Sequence, residues 1–252
     1  MLRRIVLLIA MLALPLAAAS DILMVCDEVP AMQTLARQMK DRTGMSSDIT
    51  SQDKMPASLG AYRVVIVYIH KKLDEDPEMA FIGYAKNGGK LMLLHHSISS
   101  GKRPNRGWFP FLGISLPTGD LADGGYKYFD PASFNVVNRA PGNYVTTHKV
   151  KYGERVPYSS SGQSGRETER PAFRVTGTEI YLNHKLEGPR TILLGIKYTE
   201  PKSGKVFQQD TAGWYKKTEK GEVYYFMVGH RAQDFDIPAY AQILANAIEY
   251  RP

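Results

Sequence analysis

Cysteine is almost missing from this chain: Cys26 is the single one in 252 residues. An internal disulfide is therefore excluded, even in an oxidising compartment. Cys26 lies in the apolar run Ile22–Cys26 and reads as a small buried hydrophobe, since no glycine-flanked turn presents it as a nucleophile. Long apolar runs are also missing beyond the first residues, so nothing later in the chain is expected to span a bilayer. There is no Walker loop, no Gly-x-Gly-x-x-Gly and no His-Glu-x-x-His. Tight runs of like charge are absent too. That argues against a nucleic-acid partner, although the net charge is +7.

What is present begins with an export pattern. Arg3-Arg4 form a positive n-region, Ile5–Leu16 an apolar core, and Ala17-Ala18-Ala19 a small-residue cleavage site. Residues 1–19 read as a signal peptide of bacterial type, cleaved near Ala19. The mature chain is expected to be periplasmic or secreted, with no transmembrane anchor after cleavage. What remains, roughly 230 residues, suits a single α/β domain over 20–252, with a core that needs no staples. Its positive excess lies between Arg139 and Lys220, and it reads as a solvated face or as a patch for anionic glycans or a membrane surface.

The N-terminal half alternates strand and helix signals. Ile22–Val25 and the β-branched run Val64–Ile69 read as buried strands, with a weaker one at Ser47–Ile49. Val29-Pro30 opens a helix with Met32, Leu35, Ala36 and Met39 on one face, ended by Gly44. Asp76-Pro77 opens a second, ended by Asn87-Gly88-Gly89, and the run Leu91–Leu94 follows at once. This cadence predicts an α/β fold with a doubly wound, mostly parallel sheet. Between Ser97 and Thr191 the pattern is less regular. Phe134–Val137, Phe173–Val175 and Thr191–Ile196 read as strands, and Arg155–Arg170, with Ser159-Ser160-Ser161-Gly162, as a flexible loop. We read this stretch as an irregular β-rich insertion. Lys202–Lys205 predicts a hairpin turn; then come the run Val223–Val228 and a closing helix over 238–249.

Two apolar runs end in histidine: Leu91–Leu94 in His95-His96, and Val223–Val228 in Gly229-His230. In an open α/β sheet the carboxyl ends of strands are where ligands bind. Adjacent strand residues point to opposite faces, so both histidines of the pair reach one site only if the strand stops at Leu94 and the turn aims them together. A single histidine there could serve as general acid or base. Of the pair, His96 is preferred for that role, with His95 structural. Glu179, in Thr176–Tyr181, is the best carboxylate candidate because apolar and aromatic residues flank it. Around Ser97 the sequence His-His-Ser-Ile-Ser lacks the glycines of a nucleophile elbow. Trp108, Trp214, Tyr126, Tyr128 and Tyr158 offer flat faces suited to sugar rings.

The segment Gly88–His96, the block Thr178-Glu179-Ile-Tyr181, and the C-terminal Trp214…Gly221–His230 with Ala247–Tyr250 together resemble the ThuA-like (trehalose utilisation) family. The resemblance runs from about Ile22 to Tyr250. It implies a class I glutamine amidotransferase-like fold of flavodoxin type, in which His95 or His96, Glu179 and His230 line one pocket at the carboxyl edge of the sheet. Three departures stand out. The family's acidic pair appears as Thr178-Glu179, so one carboxylate is missing; Lys149 follows His148 where proline is frequent; and no cysteine stands at the amidotransferase nucleophile position, which disfavours a glutaminase. The leading expectation is an exported enzyme acting on a sugar or sugar derivative through His95, His96, Glu179 and His230. Two alternatives are a periplasmic accessory module that binds a glycan or a partner without chemistry, and a metal-dependent hydrolase. For the last, histidine and carboxylate ligands suit a divalent metal such as zinc.

Overall fold

The computed structural model describes residues 20–160 and 166–251. The signal-peptide expectation for residues 1–19 lies outside them, as do Ser161 and Gly162. In chain order, β1 (Ile22–Cys26), α1 (Val29–Thr43), β2 (Ser47–Thr50), β3 (Val64–Tyr68), α2 (Glu75–Lys86) and β4 (Lys90–Leu94) build the first half. Then come α3 (Trp108–Leu112), β5 (Ile114–Ser115), β6 (Lys127–Asn138), α4 (Tyr144–Thr147), β7 (Glu154–Tyr158), β8 (Thr168–Leu182) and β9 (Lys185–Leu186). The chain closes with β10 (Thr191–Thr199), β11 (Val206–Lys217), β12 (Glu222–Phe226) and α5 (Pro238–Glu249).

One ten-stranded sheet runs in the order β2-β1-β3-β4-β12-β11-β10-β6-β8-β7. From β2 to β12 neighbouring strands are parallel; from β12 to β7 they are antiparallel. The parallel part has the order of a flavodoxin-like sheet, with β12 as its fifth strand. β1, β3 and β4 are buried along their whole length, as strands covered on both faces must be. The chain leaves β1 towards β2 and leaves β3 towards β4, in opposite directions. Right-handed crossovers therefore put α1 and α2 on opposite faces.

Helix α1 buries Ala31, Met32, Leu35 and Met39, and α5 packs beside it. Each fully buried Leu or Met side chain contributes about 2 kcal/mol of transfer free energy. The end of α5 is held by Lys90, whose Nζ donates to the carbonyls of Ala247 (2.7 Å), Ile248 (3.1 Å) and Tyr250 and sits 3.1 Å from Glu222 Oε1. A lysine among the last carbonyls satisfies acceptors the helix cannot satisfy itself. Among the described residues no helix is long and apolar enough to cross a membrane.

The β-rich insertion is more regular than its composition suggests. Strands β6 and β8 of that stretch span 12 and 15 residues and, beyond β11 and β10, continue the same sheet. Half-buried antiparallel strands alternate polar and apolar positions, and bulges at Ala132 and near Gly195 interrupt the alternation, so no long apolar run marks them. The segment read as a flexible loop, Arg155–Arg170, is corrected accordingly. Arg155–Tyr158 lies in β7, and Thr168–Arg170 opens β8.

Candidate active site

The chain places polar side chains at the carboxyl ends of four parallel strands. Asp27 and Glu28 follow β1, His70 follows β3, His95-His96 follow β4, and His230 follows β12. Strand β4 stops at Leu94 and a 3-10 turn, His95–Ile98, begins at once. His95 has φ +44°, a left-handed conformation rare for a residue with a side chain. That turn brings both rings to one side, with centroids 4.2 Å apart and planes nearly perpendicular. The condition for the pair to share a site is thus met in the backbone.

Glu179 comes from β8, far across the sheet. Register shifts around Ala132 re-aim the tip of the β6–β8 ladder, and the bulged segment is where Asp130 sits. Glu179 and Tyr181, two apart on one strand, share a face. Glu179 Oε2 lies 2.9 Å from His95 Nε2, 3.4 Å from His96 Nε2 and 3.8 Å from His230 Nδ1. His230 Nδ1 is 3.2 Å from His96 Nε2. The four sequence-predicted residues therefore converge, with one ligand-capable atom of each inside a 4.8 Å span.

The far sides of the rings are held as well. His95 Nδ1 donates to the Met227 carbonyl, and the ring stacks on Tyr181 at 4.8 Å. His230 Nε2 faces Asp130 Oδ2 at 3.5 Å, and Arg231 holds the other oxygen of that carboxylate at 3.3 Å. His96 Nδ1 has no protein partner among the described residues. Its ring is instead held by parallel stacking on His70, 3.7 Å away, and His70 is fixed by Glu28 Oε1 at 2.9 Å. His230 gets its place from Gly229, whose φ is +126° and whose missing Cβ leaves room for Phe235.

Burial raises the Glu179 carboxyl, but hydrogen bonds from His95 and His96 outweigh it and hold the group well below the usual carboxylate range. Burial pushes His96 down to about 3 against the opposing pull of Glu179. His230 is lowered by burial and by the neighbouring His95. The centre thus sets a carboxylate against the His96 and His230 imidazoles, whose charged forms burial disfavours.

A cavity of about 270 Å³ opens beside this cluster, lined by His70, His96, Tyr126, Tyr128, Glu179 and Tyr181 among others. Larger clefts occur elsewhere, one bounded by Tyr62, Tyr84 and Arg251, but they contain none of these four residues. His96 and Glu179 reach the cavity wall, whereas His95 and His230 stand behind it. Of the aromatic residues expected to offer sugar-binding faces, Tyr126 and Tyr128 line the cavity, and Tyr128 is 61% exposed. Trp108, Trp214 and Tyr158 are corrected to core residues. All three are buried, and Trp108 Nε1 donates to the Ser97 carbonyl at 2.7 Å. Ser97 is no nucleophile either, being buried and donating to the Val67 carbonyl. His148 stacks on Tyr144, outside the cluster. Thr178, at the missing-carboxylate position, donates to Asp234 Oδ2.

Three contributors escaped the sequence reading. His70 follows the apolar run Val64–Ile69, the same signal that marked His95 and His230, and could have been found by it. Asp130 and the Met227 carbonyl carry no local signal, because only the tertiary fold brings them near.

The family model described as trehalose utilisation, ThuA, matches residues 23–251. No curated protein sequence matches the chain. Among solved structures, a ThuA-like protein from Bacteroides uniformis is similar at 18% identity, covering 90% of this chain and 88% of that one with a TM-score of 0.59. Another from Parabacteroides merdae is similar at 14% identity over 90% and 88%, with a TM-score of 0.58. A β-galactosidase from Rahnella sp. R3 matches 92% of this chain at 16% identity and a TM-score of 0.56, but this spans 31% of that enzyme. At these identities the solved structures establish the fold alone. The family match covers nearly the whole described chain, including every member of the His/Glu cluster, and the chain belongs to the ThuA (trehalose utilisation) family.

Proposed function

We propose that this chain is an exported enzyme acting on a sugar or sugar derivative in the cavity beside Glu179. The observation that carries the reading is a buried carboxylate among three histidines, two members of which, His96 and Glu179, form a cavity wall. That wall offers an imidazole and a carboxylate to a bound hydroxyl, the apparatus of acid–base work on an alcohol. His95 and His230 position it from behind. Tyr126 and Tyr128 supply faces that suit the C–H side of a sugar ring, while Ser99 and Ser100 add polar contacts. The family's description, trehalose utilisation, supports a sugar, and the pattern in residues 1–19 supports export.

The test is turnover by the purified chain of a panel comprising trehalose, other disaccharides and monosaccharides, with products followed by NMR. At least one sugar is expected to be converted, and His96→Ala and Glu179→Ala to lower that rate by about 100-fold or more. Sugars that raise the melting temperature yet give no product would overturn the enzyme reading and leave a binding module.

A further inference from the structure

The cluster at the cavity wall has a geometry that a single hydrogen bond leaves unexplained. His95 Nδ1 faces a carbonyl, which only accepts, so a proton sits there, and Nε2 is the nitrogen turned towards Glu179 Oε2, 2.9 Å away. A proton or a metal ion therefore stands between that nitrogen and the carboxylate oxygen. A proton would serve that pair alone. Here two further imidazole nitrogens, His96 Nε2 and His230 Nδ1, converge on the same oxygen at 3.4 and 3.8 Å and on each other at 3.2 Å.

We propose that His95 Nε2, His96 Nε2, His230 Nδ1 and Glu179 Oε2 form a site for one divalent cation of the zinc class. Ligands on a tetrahedral zinc ion stand about 3.3 Å apart, given bonds of about 2.0–2.1 Å. Four of the separations, 2.9, 3.2, 3.4 and 3.8 Å, bracket that value. No two ligand atoms are more than 4.8 Å apart, so loading draws the widest pair inward. Three nitrogens and one carboxylate oxygen are a donor set for zinc and its neighbours in the first transition row.

The surroundings point the same way. Histidines on a metal hand their second ring nitrogen to a carbonyl or carboxylate, which fixes the tautomer. His95 does this with Met227, and His230 turns its Nε2 towards Asp130. Because His96 and Glu179 also line the cavity, the ion would lie within reach of an oxygen entering from it. The inference uses the same four residues as the enzyme reading, but it does not depend on the identity of any sugar.

The experiment is metal binding by the purified full chain after chelation. Zn²⁺ is titrated calorimetrically, and Co²⁺ is followed by visible absorption. One equivalent of each is expected, with the strong cobalt bands of a four- or five-coordinate site. His230→Ala is expected to abolish tight binding, and Asp130→Asn, which removes no ligand, to weaken it about 10–100-fold with an unchanged circular dichroism spectrum. If the His230 variant fails to fold, the Asp130 variant carries the test. A folded parent chain that takes up no metal, or variants that bind as tightly as the parent, would overturn the site. Sugar turnover by a chain that binds no metal sinks this inference and spares the enzyme reading. Tight metal binding without turnover of any sugar does the reverse.

Discussion

His95 Nε2 and Glu179 Oε2 meet at 2.9 Å across 84 residues of chain, where His95 is fully buried and Glu179 shows only its edge to the cavity. One follows a parallel strand; the other lies on an antiparallel strand beyond four intervening ones. The contact joins the two halves of the sheet through a charged hydrogen bond rather than through packing alone.

That contact sets the first prediction. A double-mutant cycle with His95→Gln and Glu179→Gln, in chelated protein, should show a coupling of about 1.5–3 kcal/mol, the range for a hydrogen bond to a charged group. Urea denaturation of the four proteins measures it. Additive effects would mean that the contact does not hold the halves together.

Gly229 should tolerate no side chain. Its φ of +126° disfavours any L residue, and an added Cβ would lie 2.6 Å from the Phe235 ring. Gly229→Ala is expected to lose about 2–4 kcal/mol, combining backbone strain with overpacking. Chemical denaturation reads the loss. An equally stable variant would contradict the packing at the turn that carries His230.

Lys102 gives a pH dependence of known sign. It is fully buried, with Nζ donating to the carbonyls of Ile69 (2.6 Å), His70 (2.9 Å) and Lys71 (2.7 Å), and so holds the loop that carries His70. Burial lowers its pKa from 10.5 to about 8, with Asp27 opposing. Between those values the unfolded chain keeps a proton that the native chain has lost, so stability rises with pH through this window. The parent minus Lys102→Met difference in unfolding free energy should grow by about 2 kcal/mol from pH 8 towards 10.5. A flat or falling difference would reject the assignment.

Cys26 should be inert in the native protein. It is buried at the end of β1, and burial pushes its thiol up to about 11, so almost no thiolate exists near neutrality. Alkylation by iodoacetamide is expected to be negligible in buffer and complete in denaturant, with mass spectrometry as the readout. Fast native labelling would show that the strand end opens.

Much of the parallel half was legible in the chain. Strands buried on both faces must be apolar throughout, so Val64–Tyr68 and Leu91–Leu94 announce themselves, and the histidines that follow fall at the sheet's carboxyl edge by topology. The antiparallel half was not legible in the same way. Its strands are half-exposed and bulged, so their alternation is broken where the site needs a bend. Trp108 and Trp214 illustrate a further limit: an aromatic residue reads alike as a core filler or as a binding face, and only burial decides.

By itself, then, the sequence determined an α/β cadence and the presence of histidines at strand ends, because these follow from local hydrophobic pattern, while its motifs carried the family and, through the resemblance, the flavodoxin-like order. Only the tertiary structure decided that His95 and His96 turn to one side, that Glu179 reaches them from β8, and that Asp130 and Met227 stand behind. Those facts depend on one left-handed residue, a bulged strand pairing and contacts between distant segments. A one-dimensional pattern carries no information about such contacts until the chain has closed on itself.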